Sequence, residues 1–336
     1  MKELLKKVTE GQNLTRAEAA KAMDIMLGDK VSPALVSAFL IALRMKGETV
    51  DEIVGCTEMM KSKGGSVKIN TDEYIDFVGT GGDNSNTFNI STTSMFVCAA
   101  AGVTIAKHGN RAASSRSGSA DLLEALGVNI MLEPEQVEEC INNVGIGFMN
   151  AQKFHRAMKN VAPIRKELGV RTIFNMLGPL SNPSGATRQV IGVFSRDKVS
   201  VFANVMKAMG VKNAMIVCGN DGMDEITVTG KTYVNEIKDG KITEYEIDPK
   251  DYGFEYSKIE EIAGGSGKDN AEIARKIFAG EKSARRNVVV LNSAAGIYIG
   301  GKVNSYSEAV KLAEDVIDSG TVMEKLNEFA AFTNKF

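Results

Sequence analysis

Apolar positions recur along this chain with a helical period first and a mixed strand and helix rhythm afterwards, and the change divides it in two. Residues 1–70 carry helical spacing with its own punctuation. Thr15 with Glu18 and Thr49 with Glu52 fit capping boxes, Ser32-Pro33 fits an N-cap followed by proline at the first helical position, and Gly28, Gly47 and Gly64 close the segments. In the helix opened by Pro33, the residues Leu35, Phe39, Ala42 and Leu43 recur at helical spacing, while Ala38, Leu40 and Ile41 widen the apolar face beyond one stripe. Such a face packs on more than one side, against a larger domain or against a second subunit. Gly64-Gly65-Ser66 reads as the linker out of this helical layer.

From Tyr74 the pattern becomes that of parallel βαβ units: a strand over 74–78, a helix over 91–101 stopped by Gly102, a strand over 103–106, and a helix over 117–126 stopped by Gly127. The rhythm resumes with a strand over 189–194, a helix after Arg196 and a strand over 214–218. It breaks over 231–247, where Asp239-Gly240 between alternating segments signals an antiparallel hairpin. Residues 288–291 read as another buried strand, with helices from about Ser307. The fold class implied is α/β: a small all-helical domain over 1–70, and a larger α/β domain over 71–336 with a mostly parallel central sheet and helices on both faces.

In parallel sheets ligands sit beyond the carboxyl ends of the strands, and the chemistry-bearing residues collect there. Asp76-Phe77-Val78-Gly79-Thr80-Gly81-Gly82-Asp83 runs a short strand into a turn with almost no side chains, where bare amides can curl into an anion-binding nest. Alone it also reads as an ordinary glycine-rich turn, since it is neither a Walker loop nor a dinucleotide fingerprint. Asn89-Ile90-Ser91-Thr92 adds a polar helix start. Lys107-His108-Gly109-Asn110-Arg111 and Ser114-Ser115-Arg116-Ser117-Gly118-Ser119 add cations and hydroxyls after the next strand, completing a polyanion site. His108 is either a proton shuttle or a neutral hydrogen-bond donor to a bound carboxylate or carbonyl. Asp224-Glu225, after the strand ending at Cys218, suits Mg²⁺, which takes few protein ligands and shares the rest with water and phosphate. The cations of residues 162–171 read as a solvated helix face or, because Arg165 follows an apolar Ala162-Pro163-Ile164 step, as placing Arg165 inward, where its planar fork can grip a carboxylate.

Composition narrows the partners. With 40 basic and 42 acidic residues the net charge is −2, which argues against a nucleic-acid or membrane footprint and addresses the local basic cluster to a small anion. The charged start of the chain lacks a signal-peptide core, and the longest apolar run, over 95–101, is far short of a membrane span. A soluble cytoplasmic protein is expected. Cys56, Cys98, Cys140 and Cys218 have no paired spacing, and His108 and His155 are too few for a histidine-based metal centre, so any metal is oxygen-bound. No nucleophile elbow, Cys/His pair or glycosidase-type carboxylate pair is present. A phosphate nest, Mg²⁺ and an anion-gripping arginine suit displacement of pyrophosphate from an activated sugar.

These motifs, together with Ala42-Leu43-Arg44-Met45-Lys46-Gly47 and the run from Arg165-Lys166-Glu167-Leu168-Gly169-Val170-Arg171 through Leu177-Gly178-Pro179-Leu180, resemble the anthranilate phosphoribosyltransferase family in order over nearly the whole chain. The resemblance implies a homodimer, built through the helical domain, that transfers phosphoribose from phosphoribosyl pyrophosphate (PRPP) to the amine of anthranilate in tryptophan biosynthesis. It places PRPP contacts at Gly79, Gly82, Asp83, Thr87, Asn89, Ile90, Ser91, Thr92, Lys107, His108, Gly109, Asn110, Arg111, Ala112, Ala113, Ser114, Ser115 and Ser119. Anthranilate falls to Gly79, Asn110 and Arg165, and Mg²⁺ to Ser91, Asp224 and Glu225, with no covalent nucleophile. Where many relatives carry Phe-Ala-Pro this chain has Asn150-Ala151-Gln152, and Met158 stands where some have tyrosine, which places a difference in the acceptor channel. Asn84 replaces a common glycine and tolerates a left-handed backbone. Two rival readings use the same scaffold: a nucleoside phosphorylase, whose phosphate-binding sequence is matched only through the paired glycines, and a non-catalytic nucleic-acid binder, which needs a basic stripe.

Overall fold

The computed structural model describes residues 1–29, 32–112 and 116–336. Among the described residues four helices open the chain: α1 (Lys2–Thr9), α2 (Arg16–Leu27), α3 (Pro33–Lys46) and α4 (Val50–Ser62). Both expected capping boxes form, at Thr15 with Glu18 and at Thr49 with Glu52. Glu52 does more than cap. Fully buried, it accepts from Leu14 N–H at 2.8 Å and pairs with Lys46 at 2.9 Å, fastening α4 to the chain before α2 and to the end of α3.

The remainder runs β1 (Tyr74–Gly79), α5 (Ile90–Ala100), β2 (Thr104–Gly109), α6 (Ser119–Ala125), α7 (Pro134–Val144), β3 (Ile146–Asn150), α8 (Ala151–Phe154), α9 (Ala162–Leu168), α10 (Phe174–Leu180), β4 (Arg188–Gly192), α11 (Arg196–Ala208) and β5 (Asn213–Gly219). It closes with β6 (Thr232–Lys238), β7 (Lys241–Ile247), α12 (Gly267–Phe278), α13 (Ala284–Ile299), α14 (Tyr306–Asp318) and α15 (Thr321–Thr333). Among the described residues the strands form one sheet in the order β3-β2-β1-β4-β5-β6-β7. Neighbours from β3 to β5 are parallel, and β6 and β7 are antiparallel. The chain adds strands outward on one side of β1, then returns to add β4 on the other. The seam between β1 and β4, with Gly79 opposite Gly192, is therefore the topological switch point.

The expected hairpin is present, with Asp239 at φ 50 and Gly240 at φ 74 supplying its two-residue turn. Residues 288–291 are corrected: they lie inside α13 and not in a strand. An apolar run of that length has no period of its own, and α13 is buried nearly all round because it lies between α5, α14 and the strands β1, β4 and β5. The α7 and β3 pair was not foreseen from the pattern.

Among the described residues two apolar clusters hold the molecule. One lies on the α5 and α13 side of the sheet. The other joins Met23, Phe39, Leu43 and Val54 of the first four helices to Ile164, Leu177 and Phe202, and to Ile191 and Ile216 of β4 and β5. The wide face of α3 is thus partly used within the chain: Leu40 is buried and α3 meets α1 and α9, whereas Ala38 is exposed and Met45 is 83% exposed. Among the described residues no helix is long and apolar enough to cross a membrane.

Candidate functional site

The β1 strand ends in a loop whose backbone is left-handed at Gly81 (φ 67), Gly82 (φ 74), Asn84 (φ 61) and Asn86 (φ 54). Residues of this kind curl amides to one side, as a nest requires. Gly79 has an ordinary φ, and its lack of a side chain serves a different purpose: a Cβ there would lie 2.5 Å from Asp224 Oδ2.

Asp224 and Glu225 come from the loop after β5 and are aimed at the switch point. Asp224 Oδ2 accepts from Gly81 N–H at 2.6 Å, and the Asp224 N–H faces Asp83 Oδ2 at 3.4 Å. Glu225 Oε1 accepts from Ser91 N–H at 3.1 Å, in the first turn of α5, where an anion also meets the positive end of the helix dipole. Lys107, near the end of β2 and buried, donates to Phe77 O and to Ser91 Oγ at 3.4 Å. Ser91, Asp224 and Glu225, expected as the metal set, are therefore brought together. Burial first, then repulsion from Asp83, pushes Asp224 up to about 7; burial, then repulsion from Asp224, pushes Glu225 up to about 8. Burial lowers Lys107, against the pull of Asp76, Glu225 and Asp224.

This cluster carries more carboxylate than one ammonium neutralises, and its donors are all oxygen. It fits a hard divalent cation. Among the described residues no three His, Cys, Asp or Glu side chains enclose an ion by themselves, so a bound cation keeps water or substrate oxygens, which suits Mg²⁺ and not a closed zinc cage.

The remaining expected PRPP contacts divide. Asn89 flanks the α5 start, but its side chain is held by Ser117 and by Asn270, whose Nδ2 donates to Asn89 Oδ1 at 2.8 Å. Thr87 bridges to Ala263, and Ile90 and Thr92 are buried in the first turn of α5. Gly109 lies against Ser119 at the start of α6, where a Cβ would come within 3.0 Å of the serine's Cβ. Asn110 is exposed at the mouth, its Oδ1 accepting from Arg111 N–H at 2.8 Å. The Arg111 guanidinium turns to Asp121 (3.0 Å) and Glu124 (2.9 Å), and Ala112 N–H donates to Asp121 at 2.9 Å. Ala113, Ser114 and Ser115 lie outside the described residues.

Arg165 of α9, expected on the acceptor side, is half-buried. Its guanidinium sits 5.2 Å from the Phe174 ring centre and has no hydrogen bond or ion pair among the described residues, and burial lowers its pKa. A partly desolvated guanidinium without a counter-ion is ready for an anion. His108 is buried, meets the His155 ring edge-on at 4.9 Å, and leaves its Nε2 without a partner among the described residues. Burial, then His155 and Lys107, holds His108 well below the usual histidine range. Of its two expected roles, this geometry favours the neutral hydrogen-bonding one. Asn150 is buried: its Nδ2 donates to Ile130 O at 3.4 Å, and its Oδ1 caps α8 through Gln152 N–H at 3.1 Å. Met158 lies near His155 and Met60 at a small crevice.

Two participants were missed in the sequence. His155 carried no motif. Arg171 sat inside the Arg165 run, yet nothing in its spacing revealed that its guanidinium, stacked 4.0 Å from the Phe194 ring centre, donates to Gly82 O while its own carbonyl accepts from Arg44 Nη1 of α3 at 2.8 Å. The helical layer is thereby tied to the glycine loop.

Comparison with known proteins adds independent findings. Residues 71–323 match the family model described as the glycosyl transferase family, a/b domain, and residues 2–64 match its helical bundle domain. The chain is 52% identical over its whole length to an anthranilate phosphoribosyltransferase of Acetivibrio thermocellus, covering 97% of that protein. It is 50% identical over 99% of both chains to one from Methanobrevibacter smithii. The crystal structure of anthranilate phosphoribosyltransferase from Thermus thermophilus superposes with a TM-score of 0.93 at 41% identity, covering 98% of this chain and 99% of that one. The Saccharomyces cerevisiae enzyme in complex with PRPP and Mg superposes at 0.91 with 27% identity, over 99% of this chain and 98% of that one.

Proposed function

The chain belongs to the glycosyl transferase family and, within it, to the anthranilate phosphoribosyltransferases; from that premise we propose that it transfers the phosphoribosyl group of PRPP to the amine of anthranilate, releasing pyrophosphate, in L-tryptophan biosynthesis. The observation that carries the reading is the meeting, at one switch point, of the left-handed glycine loop, the α5 N-terminus, Lys107 and the Asp224-Glu225 pair. The left-handed glycine loop at Gly82 and the positive end of α5 take the diphosphate, and Lys107 keeps positive charge beneath it. Arg165 takes the carboxylate of anthranilate, and Asn110 and the face of Gly79 complete that side. His108, neutral, offers a hydrogen bond without needing to carry a proton. Ser91, Asp224 and Glu225 hold Mg²⁺, which when bound neutralises charge on the departing pyrophosphate. Because the nucleophile is the substrate's own amine, the protein's contribution is placement and charge stabilisation.

The same reading divides the chain into a helical domain over 1–70 and a catalytic domain over 71–336. It makes the chain a cytoplasmic homodimer joined through the helical domain, which agrees with the exposure of Met45 and Ala38 on α3. The test is direct: anthranilate fluorescence should fall when the protein, PRPP and Mg²⁺ are combined, and should hold when any one is left out. No loss of fluorescence would overturn the assignment.

A further inference from the structure

The buried helix α13 carries a carboxamide among its apolar residues. Asn292 is fully buried among Val288, Val289, Val290, Leu291 and Ala294. A buried carboxamide costs free energy unless every group on it is paired, so its partners explain its presence. Asn292 Oδ1 accepts from Ile226 N–H at 2.9 Å, and its Nδ2 donates to Ile226 O at 2.7 Å and to Val288 O at 2.8 Å. One side chain thus grips both backbone groups of the residue that directly follows Glu225.

The loop between β5 and β6 has other fastenings, and those at Asp221 and Gly192 do not reach α13. Asp221 accepts from Met223 N–H at 3.0 Å and from the hydroxyls of Thr227 (2.8 Å) and Thr229 (2.6 Å), which closes the loop on itself. Gly192 lets the Asp224 backbone lie against β4, since a Cβ there would sit 1.6 Å from Asp224 O. Asn292 is the fastening that ties the loop to α13, next to Glu225.

We propose that Asn292 is a positioning residue for the cation-binding carboxylates: by clamping Ile226 it fixes the direction of Glu225 toward Ser91 and keeps Asp224 and Glu225 on one side before a cation arrives. The inference rests on the reading of Asp224 and Glu225 as Mg²⁺ ligands. Partners one shell out commonly change metal affinity by about tenfold to a hundredfold when removed.

The test is calorimetric titration of PRPP into the full-length protein at graded Mg²⁺, for the parent and for Asn292→Ala, with melting temperature measured alongside. The expected result is a rise of about tenfold or more in the Mg²⁺ concentration at half-maximal PRPP binding, with binding restored to within about threefold at saturating Mg²⁺. A folded Asn292→Ala protein with a lower melting temperature and unchanged Mg²⁺ dependence would reduce Asn292 to a packing role and overturn the proposal. A parent that shows no Mg²⁺-dependent PRPP binding would instead overturn the metal reading beneath it. Should Asn292→Ala fail to fold, hydrogen exchange at the Ile226 amide of the parent decides: protection without metal supports the clamp, and free exchange without metal refutes it.

Discussion

Gly79→Ala is the most economical test of how the glycine loop and the carboxylates depend on each other. The added Cβ would fall 2.5 Å from Asp224 Oδ2 and 3.0 Å from its Cγ. Ordinary contact requires the carboxylate to retreat by about 0.9 Å, and the Asp224 backbone has no room to follow, because it already lies against Gly192. The retreat breaks the 2.6 Å bond from Gly81 N–H to the carboxylate and turns a cation ligand away. A hydrogen bond to a charged group is worth roughly 1.5–3 kcal/mol, so the half-saturating Mg²⁺ concentration should rise by about tenfold to a hundredfold. Because φ at residue 79 suits any amino acid, backbone strain adds nothing, and the melting temperature should fall only by the few degrees that the lost bond contributes. The assay is PRPP binding and turnover across a Mg²⁺ series, run as a cycle with Asp224→Asn. If Gly79 acts through Asp224, the double variant is little worse than Asp224→Asn alone. Parental Mg²⁺ dependence in Gly79→Ala, or strict additivity in the cycle, would refute the reasoning.

Asp224→Asn with Glu225→Gln should cripple turnover at low Mg²⁺ and recover part of it in excess metal, measured as the rate of anthranilate fluorescence loss, because amides are weaker ligands for a hard cation. Arg165→Ala should raise the KM for anthranilate by about tenfold to a hundredfold while calorimetric PRPP binding stays near parental, and Arg165→Lys should resemble Arg165→Ala because it lacks the planar fork. The raised pKa values of Asp224 (about 7) and Glu225 (about 8) mean that the metal-free folded state holds these protons more tightly than the unfolded chain. The resulting stability is fully present below the ordinary carboxylate range and is lost progressively as pH rises from there to about 8, so in chelator the denaturation midpoint should fall over that span, level off above it, and lose this dependence in the double amide variant.

What the sequence disclosed was what local rules govern. Capping boxes, the Asp239-Gly240 turn and the βαβ rhythm each depend on a few neighbouring residues, and each was found. The opposite case is α13, where 288–291 was read as a strand because burial on every side removes the polar face by which a helix is recognised. Glycines in the 79–82 loop were visible, but only the fold showed that Gly81 and Gly82 serve the backbone and Gly79 serves a carboxylate 145 positions away along the chain. Asn150 stood out in the sequence as a departure from relatives, but only the fold shows that its side chain caps α8 and faces Ile130 and Gln152. Arg171 and Asn292 act through backbone atoms of distant loops, and such partners leave no local spacing to read.

The apolar cluster shared by the first four helices, α9 to α11 and one face of β4 and β5 makes the two layers a single inheritance. A chimera that grafts the helices of one relative onto the sheet of another must match Phe39, Leu43 and Val54 against Ile164, Leu177 and Phe202, or it begins with cavities along the whole seam. Substitutions there are therefore expected to drift in compensating pairs across the layers. The practical unit for transplantation is the pair of layers together, even though the family models meet the chain as two separate stretches.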